Sequence, residues 1–159
     1  MAFTLQVEGI EELSQKLNEL GEKAEAVAAM ALYDGAGVMA NAYTQAVNSI
    51  HAEPFRYAFG GRKRSPSYEE RAALQGNTGI ARFDKNGSEV NTAIGFNGSG
   101  YANIAGKQKA VRKIANAINS GTSFMEKQPV FRRAASQASG AASAAIVAKA
   151  DQLIAEITK

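Results

Sequence analysis

A helical periodicity of almost forty residues near the start of the chain is the strongest constraint on the fold. Apolar residues recur at three- and four-residue steps from Ile10 to Ala46, with one seven-residue gap that spans Gly35 and Gly37. The pattern predicts a helix of about 40 residues, interrupted or bent near Gly21 and near the Gly35 and Gly37 pair, because each glycine weakens a helix by ~1 kcal/mol. A helix this long needs a partner along its whole apolar stripe.

The last thirty residues of the sequence are the predicted partner. Residues 130–159 contain no proline, and apolar positions from Phe131 to Ile157 form a second helical stripe. Nine of the seventeen residues from Ala134 to Ala150 are alanine, so this C-terminal helix can approach its neighbour closely while each contact buries little area. Two interpretations stay open. The alanines reflect helix propensity alone, or a second subunit completes the burial.

The middle third of the chain begins with a basic segment. Residues 54–66 start and end in proline and carry four bases and no acid, with three aromatic residues interleaved. This composition predicts an exposed basic arm rather than a core element. Ser67 is then the expected N-cap of a short helix that ends at Gln75. The bases of the predicted arm are Arg56, Arg62, Lys63 and Arg64.

A β-hairpin and a basic helix are predicted next. Asn86-Gly87 separates two runs of strand-forming residues, which indicates a hairpin over residues 79–97. A helix is predicted from about Lys107 to Asn119, and a short strand at residues 3–7. The whole chain, 1–159, is thus expected to be a single α+β domain in which two long helices pack against a small antiparallel sheet with mobile basic loops. The bases expected on one side of the basic helix are Lys107, Lys109, Arg112 and Lys113.

Composition argues against an enzyme. The chain has no cysteine, one histidine and three scattered aspartates, which removes thiol catalysis, disulfides and cysteine zinc sites. His51 and Glu53 are interpreted as a surface pair because no nucleophile or second base accompanies them. We therefore expect no catalytic residue, no cofactor and no metal. With no signal peptide and no membrane span in the sequence, synthesis in the cytoplasm is expected.

Charge is distributed unevenly along the chain. Residues 1–53 have a net charge of −6, whereas residues 54–159 have a net charge of +9. One interpretation is a domain whose acidic helix lies near its own basic loops. The other is a dipolar subunit whose acidic face meets the basic face of a neighbour, since complementary potentials steer and align association.

An ordered series of short motifs resembles a tail-component family of tailed bacteriophages, typified by the gene-ten tail protein of HK-type lambdoid siphophages. In that family a hairpin is followed by a helix, a Gly-Thr turn, a Pro-Phe pair and a long C-terminal helix. The resemblance covers nearly the whole chain, although Val130 separates the proline from the phenylalanine here. The motifs are Val7 to Leu13, Gly35 to Val38, Gly79 to Ala81, Val90 to Phe96, Ala115 to Ile118, Ser120 to Phe124, and Lys127 to Ala134.

The motif positions between the last two helices also have a physical interpretation. Gly121 is a natural C-cap that adopts a left-handed turn, Thr122 or Ser123 can satisfy local backbone groups, and Pro129 can open the next helix in its first turn. Phe131 is expected to anchor that helix in the core. The turn and anchor residues carried by the resemblance are Gly121, Thr122, Phe124, Pro129, Phe131 and Arg132.

The resemblance implies a virion morphogenesis protein of a siphophage, a neck or tail-completion component at the head–tail junction. It would assemble in the host cytoplasm as a homo-oligomeric ring between a neck connector or stopper and tail-tube proteins, with transient contact to genomic DNA in the lumen and none to a membrane. From the opposite charges of the two parts of the chain, we expect the basic residues of 54–66 and 107–113 to face partners or the lumen. The alternative is a nucleic-acid-binding module that uses the same two segments.

Overall fold

The computed structural model describes residues 10–54, 60–82, 84–86, 89–96 and 99–159, and it shows an α+β fold. The fold class inferred from sequence is therefore confirmed, whereas the strand predicted at residues 3–7 lies outside the described residues. The elements of the described part are α1 (Ile10–Asn48), α2 (Tyr68–Gln75), β1 (Thr78–Ile80), β2 (Asp84–Asn86), β3 (Glu89–Asn91), β4 (Ile94–Phe96), β5 (Tyr101–Ile104), β6 (Lys107–Ala110), α3 (Val111–Ser120) and α4 (Val130–Ile157).

Helix α1 runs without a break over 39 residues, so the interruption predicted at its glycines is wrong. Gly35 is instead a point of close approach to α4. A Cβ atom placed on it would lie 2.4 Å from Cγ1 of Ile146 and 3.0 Å from the carbonyl oxygen of Ala142. The missing side chain lets the two helix backbones come together, and their contact offsets the weak helix propensity of glycine.

Helix α4 is the partner that the long stripe of α1 requires, and its bounds agree with the prediction for 130–159. Gly35 lies against Ile146, whereas Ala46, near the end of α1, shares a surface cavity with Ala134, near the start of α4. The two helices are therefore antiparallel. At 1.5 Å per residue, α1 is about 58 Å long and α4 about 42 Å.

The hydrophobic core lies at the end of this helix pair where α1 finishes and α4 begins. Three aromatic rings meet there: the centroid of Phe131 lies 4.9 Å from that of Phe96 and 5.7 Å from that of Tyr43. Phe131 is only 6% exposed, so its predicted role as the core anchor of α4 is confirmed. The other buried members of the cluster are Ala46, Val47, Ile50, Leu74, Ile104, Val111, Ile114, Ala115, Ile118 and Met125.

The strands form three antiparallel pairs beside this core. β1 pairs with β4 and β2 with β3, with Gly79 opposite Gly95 and Lys85 opposite Val90, so the described residues of the predicted hairpin form two separate antiparallel pairs. The third pair, β5 with β6, was not predicted, and it leads directly into α3.

Charge separates along the molecule. We call residues 41–138 of the described chain the head, and residues 10–40 and 139–157 of α1 and α4 the arm. Within the described residues the head has thirteen bases and six acids, and the arm has three bases and eight acids. The acidic half of α1 therefore extends away from the basic head.

Candidate functional site

The connection between α3 and α4 is held by the residues that the motif analysis selected. Gly121 has φ 74° and ψ 169°, a positive-φ conformation that glycine adopts most readily, although the extended ψ makes it different from the predicted left-handed turn. Its N–H donates to the carbonyl of Ala117. The hydroxyl of Thr122 accepts hydrogen bonds from the backbone N–H groups of Phe124 and Met125, as predicted for local backbone satisfaction. The turn leaves the Phe124 side chain 53% exposed and buries that of Met125.

The basic segment 54–66, which was predicted to be exposed, is not exposed along its whole length. Arg64 is buried, and its backbone pairs with this turn: its N–H donates to Phe124 and its carbonyl accepts from Glu126. Arg64 is therefore not part of an exposed arm, because its backbone and side chain belong to the packed structure. Arg62 and Lys63 are exposed as expected, while Arg56 lies outside the described residues.

A buried ion pair explains why Arg64 is drawn inward. Its guanidinium donates to both carboxylate oxygens of Glu70, at 2.7 and 2.9 Å, and both side chains are less than a tenth exposed. Ser67 caps α2 as predicted and forms a complete capping box with Glu70. Lys109 Nζ lies 3.5 Å from the same carboxylate. Burial alone would raise the pKa of Glu70, but hydrogen bonds from Arg64 and the Ser67 N–H, with the charges of Arg64 and Lys109, hold that pKa below its ordinary value.

The lowered pKa of Glu70 gives a signed pH dependence. The ionised carboxylate stabilises the fold at pH values above the unfolded-state pKa near 4.5, and this contribution is lost as the pH falls through the lower folded-state pKa. The free energy of unfolding should therefore fall as the pH is lowered below the unfolded-state pKa near 4.5. Glu70→Gln should be less stable at neutral pH and should lose this part of the acid dependence. Equal acid slopes in both proteins would contradict the assignment.

The segment predicted to start a basic helix is a strand. Residues 107–110 form β6, which pairs with β5 through a two-residue turn at Ala105 and Gly106, where φ is 55° and 77°. These paired positive φ values are typical of the tight hairpin turns that match strand twist. Helix α3 begins only at Val111. Lys107 and Lys109 therefore belong to a strand and Arg112 and Lys113 to a helix, so the single basic helical face that we expected is wrong.

The structure places four of the selected side chains, Arg64, Lys109, Lys113 and Phe124, around one groove on the head. Tyr101, Lys109, Lys113 and Phe124 line its sides, together with the buried Arg64 and Glu70 pair, and the cavity measures about 430 Å³. Tyr101 and Phe124 are 66% and 53% exposed, which is unusual for two neighbouring large aromatic side chains. The apolar residues that complete the lining are Ala110, Ile114, Ala117 and Met125. We call this cavity the head groove.

Other selected residues lie elsewhere on the head. Arg112 and Arg132 line a second cavity, of about 440 Å³, in which Tyr43, Phe96 and Phe131 also take part. Lys107 is exposed on β6 and does not line the head groove. Pro129 occupies the N-cap position of α4, one residue before the predicted first turn. The selected basic residues that line these two cavities thus form two separate groups rather than one surface.

Sequence reasoning missed Tyr101 and Glu70 as members of the site. Tyr101 falls in β5, whose pairing with β6 was hidden because no Asn-Gly or Asp-Gly marks the Ala105-Gly106 turn. A signal for Glu70 was available: Ser67 followed by Glu70 is the spacing of a capping box, and a glutamate held there is positioned to receive an arginine.

The described residues contain no group of three or more metal-ligating side chains and no helix with the length and hydrophobicity needed to cross a membrane. His51 and Glu53 form a pair 3.4 Å apart whose side chains are 72% and 46% exposed, as the surface interpretation expected. Comparison of the chain with known protein families, with curated proteins and with solved structures finds no match.

Proposed function

We propose that the protein is a structural subunit of the head–tail junction of a tailed bacteriophage, a neck or tail-completion component that forms a ring. The main observation in favour of self-assembly is the separation of charge between a basic head and an acidic arm in one chain. The ordered motif series from the hairpin to α4 supports the phage assignment.

Complementary ends on one subunit favour a heterologous contact. The head of one copy then meets the arm of the next, and such contacts close into a ring when the rotation between neighbours allows it. The arm also carries exposed apolar side chains, among them Met30, Val147 and Ile154, which a neighbouring copy would cover.

In the virion, the two faces of the ring would contact a neck connector or stopper on one side and tail-tube proteins on the other. Exposed bases of the head, such as Arg62 and Lys63, would line the lumen and touch the genomic DNA transiently. Assembly would take place in the host cytoplasm, and the protein would act by association rather than by catalysis.

Light scattering of the purified protein tests this proposal. We expect a single oligomer at low ionic strength that dissociates as salt rises from about 50 mM to about 500 mM, since screening weakens contacts between exposed charges. Electron micrographs of the low-salt species should show closed rings.

Circular dichroism over the same salt series is the control, because unchanged helicity shows that subunits separate without unfolding. A monomer at every salt and protein concentration, or open filaments in place of rings, would contradict the proposed ring.

The second candidate function is single-stranded nucleic-acid binding. The observation in its favour is the head groove, where two exposed aromatic rings stand beside Lys109 and Lys113, since bases stack on such rings and lysines contact phosphates. This function predicts that the monomer binds a labelled oligonucleotide with an affinity that falls steeply with salt.

A further inference from the structure

The head groove has two properties that together define what it can bind. Its lining includes three cations, Arg64, Lys109 and Lys113, against the single carboxylate of Glu70, which leaves a net charge of +2. Its floor and rims are apolar, with Ile114 and Met125 below and the rings of Tyr101 and Phe124 beside them. The complementary ligand carries apolar side chains flanked by carboxylates.

The groove is held in shape before any ligand arrives. The bidentate contact between Arg64 and Glu70 fixes its back wall, and the guanidinium lies 5.8 Å from the centroid of the Phe124 ring. The two hydrogen bonds to the Thr122 hydroxyl fix the turn that carries Phe124. Binding therefore needs little ordering of the groove, which lowers its entropic cost.

The far end of the arm has the complementary chemistry. Gly35 lies against Ile146, and 25 residues of α1 precede Gly35 whereas only 11 residues of α4 follow Ile146. By helix rise, α1 therefore extends about 20 Å past the end of α4. In sequence this overhang, residues 10–23, has four glutamates and two lysines, and its apolar residues recur at helical spacing: Ile10, Leu13, Leu17 and Leu20.

We infer that the head groove receives the α1 overhang of a second copy of this chain. The charges of the two surfaces, +2 and −2, are opposite. The aromatic rims would cover apolar side chains of the helix while Lys109 and Lys113 meet its glutamates. This inference rests on the proposed ring and names the contact that builds it.

The contact has to be made between copies. Val47 belongs to the same core cluster as the groove residues Ile114 and Met125, and 25 helical steps separate it from Glu22 near the edge of the overhang. That length is about 38 Å of rigid helix, so the overhang cannot reach the groove of its own chain. Repeated between neighbours, the contact is heterologous, and it forms the ring when it closes.

The absence of cysteine from the sequence makes a direct test possible. We expect a Lys113→Cys copy mixed with a Gly21→Cys copy to form a disulfide-linked dimer under mild oxidation. Gly21 is exposed in the overhang and has open space for a side chain. Gly140→Cys is the matched control, because Gly140 is also an exposed helical glycine with open space but lies in α4, far from the overhang. It should give no cross-link with Lys113→Cys.

Charge reversal gives an independent readout. Lys113→Glu and Glu19→Lys should each lose the low-salt oligomer in light scattering, and the double variant should regain it. Lys113 is exposed and is chosen over Lys109, whose ammonium contacts Glu70 and whose replacement would disturb the buried ion pair.

The outcomes separate the two proposals. An oligomer that forms without the specific cross-link, or that persists in both charge-reversal variants, contradicts the inferred contact but not the proposed ring. A wild-type protein that stays monomeric under all conditions overturns both. Oligonucleotide binding that Lys113→Glu abolishes and Glu19→Lys leaves unchanged, with no cross-link, assigns the groove to nucleic acid and also overturns the inference.

Discussion

Arg64→Ala is expected to lower the free energy of unfolding by roughly 3–5 kcal/mol, the effect of leaving one partner of a buried ion pair alone. Glu70 would keep its burial and lose both guanidinium hydrogen bonds. Arg64→Lys should recover part of the loss, because an ammonium retains the charge but not the fork that binds two oxygens at once. Urea unfolding followed by circular dichroism at neutral pH measures the three proteins.

Arg62→Ala is the matched control for this prediction. Arg62 belongs to the same basic segment but is exposed, and surface substitutions usually change stability by no more than about 0.5 kcal/mol. If Arg64→Ala were as stable as Arg62→Ala, the ion pair would contribute nothing to the stability of the fold, and the basic segment 54–66 would be exposed along its whole length.

Gly35→Ala should destabilise the protein even though alanine is the better helix former. The new methyl group would meet Ile146 at a distance that no ordinary contact allows. Overpacking of this kind costs about 1–3 kcal/mol, which outweighs the ~1 kcal/mol that alanine contributes through helix propensity. Thermal or urea unfolding of the variant should therefore show a clear loss.

Gly37→Ala should instead raise the free energy of unfolding. Gly37 lies two residues further along α1 with nothing within 4 Å of a Cβ atom, so only the propensity gain remains. Ile146→Ala in the Gly35→Ala background should relieve the clash, so that the double variant loses less than the two single losses added together. If Gly35→Ala and Gly37→Ala both raised the stability, Gly35 would make no close contact with α4.

Local signals in the sequence predicted most of the secondary structure. The stripes of α1 and α4, the strands on either side of Asn86-Gly87 and the Ser67 cap each depend on residues close together in the chain, and the structure contains the corresponding helices, strands and cap. The pairing of α1 with α4 was predictable because each stripe was too long to be buried by anything else in the sequence.

The errors share a physical cause, which is that each depended on a residue that is distant in sequence or on an unusual backbone conformation. A glycine in a helix is compatible with a break or with close packing, and Ile146 decides between them at Gly35. The base-rich composition of 54–66 suggested exposure, but the backbone of Arg64 pairs with the distant Phe124 and Glu126. The Ala105 turn needs a positive φ at a residue that rarely adopts one.

The candidate site was predicted in parts rather than as a whole. Lys109, Lys113 and Phe124 were selected separately, for their charge or for the motif that contains them. Only the tertiary structure shows that they surround one groove with Tyr101, because the hairpin, α3 and the turn after it each contribute one side.

The order of the two long helices in the chain has a consequence for synthesis. Helix α1 is finished about 80 residues before α4 starts, and at 5–20 residues per second a ribosome needs about 4–16 s to make the intervening chain. During that interval the nascent α1 stripe has no α4 to cover it. The acidic residues along α1 then give neighbouring nascent chains a mutual repulsion that opposes premature pairing of their stripes.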